Sequence, residues 1–448
     1  MLKELLKPEI EEAIRNKDWR ALKELISMWP APDIADLLEN LDEEERLILF
    51  RLLPTELAAE VFVELQRDVQ THLVKNLSNE KMKEILLEVP PDDRTEIFEE
   101  LPGEVVSQLI SLLPPEERKE ALDLLGYPKD SVGRLMTPDY VKVKEHWTVK
   151  YSLEHIRKFG KDAETLNILY VVDDEGKLIG EVHLRRLVLA EPLQRISEIM
   201  EKDFMAINVY QDQEEAARMM RRYDLIALPV VDKRNILLGI VTVDDILDVY
   251  EEEATEDLHK RAGVIPLKFS YTATPIISLF KKRIVWLSLL AVAGFLSSSI
   301  IASFENLLSK IIALSFFIPV LIDTGGNTSS QSATLIVRAI ALGELDFKKW
   351  WQIVRKELLV GLLLGCGLFL LLFGYSFLLR KDIRISFVVG LAVLIICVWA
   401  NLIGTILPII LTKLKQDPAV ISSPVLTTIL DFTGLAIYFA IAYFILKQ

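Results

Sequence analysis

The chain changes texture near residue 264, and that change limits its fold more than any other feature. Ahead of it stand 35 Lys and Arg against 57 Asp and Glu, a net of −22; behind it stand 16 against 8, a net of +8. After Lys281-Lys-Arg283 the sequence turns apolar, with five long segments near 284–304, 307–327, 357–380, 385–412 and 421–446. A helix of about 20 residues crosses a hydrocarbon layer of about 30 Å. One part is written for water and the other for lipid, and 448 residues exceed a single ordinary domain. Ten basic residues flank one set of span ends: Lys281, Lys282, Arg283, Arg338, Lys348, Lys349, Arg355, Lys356, Lys413 and Lys415. Five flank the other set: Lys310, Arg380, Lys381, Arg384 and Lys447. The bias predicts an N-terminus inside and, with five spans, a C-terminus outside.

The acidic front part carries neither of the two cysteines, Cys366 and Cys397, so it offers no disulfide or thiolate zinc site. Its charge argues against nucleic acid, whose phosphates are bound by Lys and Arg, and makes cations the natural counter-charge. The opening residues hold acids and polar breaks where a signal peptide needs an apolar core, which predicts a cytoplasmic front part.

Residues 1–130 repeat with a period of 24. Leu41-Asp-Glu-Glu-Glu-Arg46 recurs around Leu65 and Gln70, as Val89-Pro-Pro-Asp-Asp-Arg94 and as Leu113-Pro-Pro-Glu-Glu-Arg118. Proline followed by acids suits a helix start. Each unit reads as a short helix pair, and stacked pairs predict an all-α solenoid-like N-domain with an acidic surface.

From 131 to 250 a second repeat appears at an offset of 59. Leu166-Asn-Ile-Leu-Tyr-Val-Val-Asp matches Leu225-Ile-Ala-Leu-Pro-Val-Val-Asp, each preceded by a Met-anchored segment, around Met136 and Met200. The β-α-β-β-α unit in tandem resembles a pair of cystathionine-β-synthase (CBS) domains, 131–192 and 193–250, an α/β sensor. Residues 251–275 read as an acidic connecting helix that breaks at Gly263, Pro266 and Pro275, and 276–448 as the transmembrane domain.

No phosphate loop or Ser/His/Asp grouping is present, and the five His all precede residue 260, so an enzyme is not expected. Polar residues at membrane depth stand out instead. Pro319, Asp323, Gly325, Gly326, Asn327 and Gln331 interrupt the second segment, where backbone freed from a helix needs a protein interior or a watery path. Asp431 lies several residues into the last segment, where a charge is costly and marks a functional site. Asp323 also reads as a helix-end acid near the interface, Asp431 as an acid paired across helices, Asn401 as interhelical glue, and Asp417 as an N-cap for the last helix.

An acidic helical N-domain, tandem CBS domains, an acidic connector and Pro-x3-Asp-Thr-Gly-Gly-Asn-x3-Gln together resemble the MgtE family of magnesium channels and transporters across nearly the whole chain. The family commonly has Gly where this chain has Ser329, so the match is weakest at that turn. The resemblance implies a homodimer in the inner membrane, with Asp431 holding hydrated Mg²⁺ and Asp323, Asn327, Asn401 and the carbonyls of Gly325 and Gly326 shaping the pore. Oxygen ligands and the lack of Cys or His suit Mg²⁺, which keeps its water shell. It also implies closure by cytosolic Mg²⁺ bound at Asp92 and Glu96, at Asp212, Glu214, Asp224 and Asp245, at Glu253, Glu256 and Asp257, and at Asp417. Repulsion among the 57 acids spreads the sensor at low Mg²⁺, and the ion draws it together. Gly239-x-x-Thr242-x-x-Asp245 also resembles the stretch by which CBS repeats hold the ribose of adenine nucleotides such as ATP, so Asp245 serves two readings. A competing function is a nucleotide-sensing secondary transporter for another divalent cation, Mn²⁺ or Co²⁺, coupled to an ion gradient.

Overall fold

The structure is a computed structural model that describes residues 13, 16, 18–267, 271, 274–341, 344–345, 349–417 and 423–446. It divides into two compact units, Met1–Glu253 and Ala254–Gln448, each taken here by itself. Lys348, Lys447 and parts of the expected connector and last span lie outside the described residues.

The 24-residue period is two helices of nearly equal length. After α1 (Trp19–Ile26) come α2 (Ala31–Glu39), α3 (Glu43–Leu52), α4 (Thr55–Glu64), α5 (Arg67–Asn76), α6 (Asn79–Glu88), α7 (Pro91–Glu100), α8 (Gly103–Leu112) and α9 (Pro115–Leu125). From α2 onward, successive helices begin 12 residues apart. Between them Leu53, Leu65, Leu77, Val89, Leu101 and Leu113 are extended and buried, and one continuous apolar core runs through the stack. The repeated Arg or Gln has a structural cause. Arg46, Gln70, Arg94 and Arg118 each donate to a carbonyl eight residues earlier, at Leu38, Phe62, Leu86 and Ile110. Each thereby satisfies carbonyls left open where the preceding helix ends.

The rest of this unit holds α10 (Val132–Leu135), β1 (Lys142–Lys144), α11 (Val149–Phe159), β2 (Ile168–Val172), β3 (Leu178–His183), α12 (Leu184–Leu189), α13 (Ile196–Ile199), β4 (Ile207–Asn208), α14 (Gln213–Tyr223), β5 (Ala227–Val231), β6 (Leu237–Thr242) and the start of α15 (Val243–Arg261). Both repeats form a three-stranded sheet, with a parallel pair and then an antiparallel pair, in the orders β1-β2-β3 and β4-β5-β6. The 59-residue offset survives in detail: bulges fall at Val171/Val172 and Val230/Val231, and Gly176 and Asn235 both take positive φ. The halves exchange their Met-anchored segments. Thr137 bridges to Ile240 and Glu201 to Glu181, so Met136 packs in the second core and Met200 against the first. Gly239 permits this, because a Cβ there would stand 2.7 Å from the Thr137 carbonyl.

In the second unit, α15 ends at Arg261 and the chain turns away at Gly263, whose φ of 68° no bulkier residue adopts easily. Then follow α16 (Ile276–Ser303), α17 (Glu305–Lys310), a 3₁₀ turn (Ile312–Phe317), α18 (Ile318–Ala341), α19 (Trp350–Arg380), α20 (Ile383–Lys413) and α21 (Ser423–Leu446). Among the described residues, α16, α19, α20 and α21 are long and apolar enough to cross a membrane. The expected span at 307–327 is displaced: α17 and the 3₁₀ turn occupy 305–317, and the helix runs from Ile318. Proline marks its first turn and does not break its middle. The expected interruption is absent too, since α18 continues through Asp323-Thr-Gly-Gly-Asn327. Helix α20 is the buried centre, packed on α18, α19 and α21.

Candidate functional site

Two helix N-termini bring carboxylates together in the first unit. Asp92 and Asp93 stand in the first turn of α7, and Asp244 and Asp245 in the first turn of α15. Positive helix ends favour carboxylates, which explains the local choice of residue. Asp92 is 6% exposed, and its Oδ1 finds no hydrogen-bond partner among the described residues. Burial, and then the Asp245 carboxylate, hold Asp92 well above the usual carboxylate range. Burial and then Asp245 push Asp93 up to about 7. Asp245 is raised by burial although it accepts from the Thr242 amide at 3.1 Å and the Thr242 hydroxyl at 2.9 Å. Around these three lies a rim of solvent-exposed acids: Glu96, Glu164, Asp244, Asp248 and Glu252. Glu96 is pushed upward by burial and then by Glu252, Asp248 and Asp245, although water at its exposed side chain screens part of that push.

Native cations are few here. Arg94 is buried and spent on Glu120 at 2.8 Å and on the Leu86 carbonyl. Arg67 contacts Glu100 and acts on Glu252 and Glu96. The seam therefore joins a buried core to an open rim with an excess of oxygen ligands, which suits a hard hydrated cation. Sequence reasoning named Asp92, Glu96 and Asp245 but missed Asp93, Glu164, Asp244, Asp248 and Glu252. The doubled acids Asp92-Asp93 and Asp244-Asp245 at two helix starts were the available signal.

The remaining acids named from the sequence have local partners. Asp212 caps α14, accepting from the Glu214 amide at 2.9 Å; Glu214 lies 3.9 Å from Arg218, and Asp224 closes the helix at φ 53°. Glu253 accepts from Gln213 at 2.9 Å. In the second unit, Lys260 Nζ lies 2.5 Å from Glu256 and 2.8 Å from Asp417, and Arg261 lies 3.6 Å from Asp257. Asp417 accepts from Lys260 at 2.8 Å, and the residues between it and Ser423, where the described part of α21 starts, lie outside the described residues.

On α18, Asp323 and Asn327 share an exposed face and a 3.1 Å hydrogen bond, and Gln331 continues the stripe four residues on. Gly325 and Gly326 face the other way. They are buried, with Ile396 and Thr427 where a Cβ would point, and the Gly326 carbonyl accepts from Ser329 at 2.9 Å. They serve close helix packing, a common use of small residues in such bundles. Asp431 is half-buried on α21 and has no hydrogen-bond or ion-pair partner among the described residues. Asn401 is 2% exposed and donates to Glu357, at 3.0 Å to its carbonyl and 3.3 Å to its carboxylate. Ser332 and Thr405 complete that clasp 2.9 Å apart. Glu357 escaped the sequence reading because it adjoins Arg355 and Lys356 at a span end, where a charge is unremarkable.

A family model described as "Divalent cation transporter" matches residues 318–441; the "MgtE intracellular N domain" matches 29–130, and "CBS domain" matches 132–192 and 196–252. The magnesium transporter MgtE of Thermus thermophilus is 44% identical over 72% of this chain and 72% of its own length. That of Bacillus subtilis is 37% identical over 71% and 70%. Among solved structures, the cytosolic domain of the Mg²⁺ channel MgtE in complex with ATP is similar at a TM-score of 0.52 and 40% identity. The match covers 54% of this chain and 98% of that one.

Proposed function

The chain belongs to the MgtE family of magnesium transporters, and from that premise we propose that it conducts Mg²⁺ into the cytoplasm and closes when cytosolic Mg²⁺ fills its acidic seam. It acts as a transport protein of the plasma membrane, not as an enzyme. The observation that carries the reading is Asp92: a buried carboxylate with an unpartnered oxygen, facing Asp245 in a seam short of native cations. A divalent ion entering from the exposed rim relieves that repulsion and draws α7 and α15 together. The seam set extends the sensor residues to Asp93, Asp244, Asp248 and Glu252, and Asp212, Glu214 and Asp224 of α14 and its caps are further sensor acids. The domains divide at 130, 250 and 275.

In the membrane part, the exposed stripe of Asp323, Asn327 and Gln331 supports a homodimer in which two copies enclose a watery path through the lipid bilayer, because polar side chains at that depth need water or protein. Asp431 supplies a carboxylate from each subunit to the hydrated ion. The N-terminal domains are cytosolic, and five spans, counting α18, leave the C-terminus outside. Thr242 and Asp245, already joined by two hydrogen bonds, support ATP as a second ligand of the CBS pair.

The test is Mg²⁺ flux through the full chain in liposomes. Asp431→Asn is expected to abolish flux, and loss of flux on dissipating a proton or Na⁺ gradient would favour coupled transport of Mn²⁺ or Co²⁺ over a Mg²⁺ channel.

A further inference from the structure

Two acids counted above as gate ligands already hold a cation that belongs to the chain itself. Lys260 Nζ lies 2.5 Å from Glu256 Oε1, one turn back on α15, and 2.8 Å from Asp417 Oδ2, beyond the end of α20. All three side chains are about a quarter to two-fifths exposed, so the ammonium is neither free in water nor sealed from it. A third acid, Asp257, feels Asp417 and is held by Arg261 at 3.6 Å.

We propose that Lys260 is a tethered cation that competes with a divalent ion for the Glu256 and Asp417 carboxylates, and so sets the Mg²⁺ concentration at which the gate closes. This rests on the reading of those acids as gate ligands. An ammonium on a four-carbon stem is a compact point charge with three donors, and here two of its donors meet two carboxylates. It cancels one of their two charges. A divalent ion cancels both, yet it must first expel the ammonium, whose tether keeps its local concentration high. Both of its carboxylate contacts are within hydrogen-bond reach, so the competitor is already seated on the two acids a divalent ion would need. The contrast with Asp92 is direct: there an oxygen lacks a partner, and here the partner is in place.

The experiment measures half-closing Mg²⁺ concentration for flux through the full chain in liposomes, with Lys260→Gln as the variant. Partly exposed ion pairs are modest, so two of them acting together predict a drop of about five- to tenfold. In an Asp417→Asn background the same substitution is expected to act about twofold or less, since the contested site is gone. An unchanged or raised half-closing concentration in Lys260→Gln would overturn the proposal and make Lys260 a latch of the closed state. A parent chain that ignores Mg²⁺ would sink the gating reading separately. Competition is then judged by Mn²⁺ binding to the detergent-solubilised chain, followed by electron paramagnetic resonance. Tighter binding in Lys260→Gln supports it, and equal binding ends it.

Discussion

The seam around Asp92 and the cluster around Asp417 are both groups of carboxylates, yet they are balanced differently. In the seam, Arg94 is spent on Glu120, Arg67 contacts Glu100, and Asp92 keeps an oxygen without a partner. Around Asp417, Lys260 and Arg261 reach Glu256, Asp417 and Asp257. An acid cluster that lacks cations is a place where an external ion contributes most; one that carries its own is a place where the ion must compete. Acid count alone does not distinguish the two.

The largest way to break this comparison is to neutralise the seam. Asp92→Asn with Asp245→Asn is expected to raise the Mg²⁺ concentration needed for protection more than about tenfold, about 1.4 kcal/mol. Tryptic cleavage at Lys129, an exposed residue between α9 and α10, reports it. Asp92→Asn alone, without Mg²⁺, is expected to stabilise the chain by about 1–2 kcal/mol in denaturant titration at neutral pH, because the buried acid must take up a proton on folding and a neutral amide need not. Next comes pH. The carboxyls of Asp92 and Asp93 are raised above their unfolded values, so the unfolded state loses its protons first. Without Mg²⁺, stability falls as pH rises from the usual carboxylate range through about 7 for Asp93 and about 9 for Asp92, and Mg²⁺ should flatten that fall. Lys260 is raised instead, so its contribution is present throughout that window and fades only above its unfolded value of 10.5. Melting temperatures across pH, with and without Mg²⁺, check both. The smallest effect is expected from Asp212→Ser, which keeps a cap: about 0.5 kcal/mol or less in stability and less than about twofold in Mg²⁺ response.

The local rules were legible where they repeat. A 24-residue period announced helix pairs, and a 59-residue offset announced two like sheets, because each copy satisfies the same backbone needs with the same residues. The exchange of the Met136 and Met200 segments was not legible, since offset carries no information about which core a segment enters. The second span was misplaced because the apolar run before Pro319 satisfies a hydropathy window, while the proline fixes where the helix starts. Gly325 and Gly326 suggested an open backbone, but on a continuous helix they allow close approach to Ile396 and Thr427. Asp93, Asp248 and Glu252 join the seam only through tertiary packing, and Lys260 reads as a solvated charge until Asp417, 157 residues away, is seen beside it.

The most direct test is flux of Mg²⁺ through the full chain in liposomes as Mg²⁺ on the side of the N-terminal domains is raised, comparing the parent with Asp92→Asn/Asp245→Asn. The seam account predicts that the parent closes and that the neutralised chain needs more than about tenfold higher Mg²⁺ on that side to close. A neutralised chain that closes at the parent's Mg²⁺ concentration would contradict it.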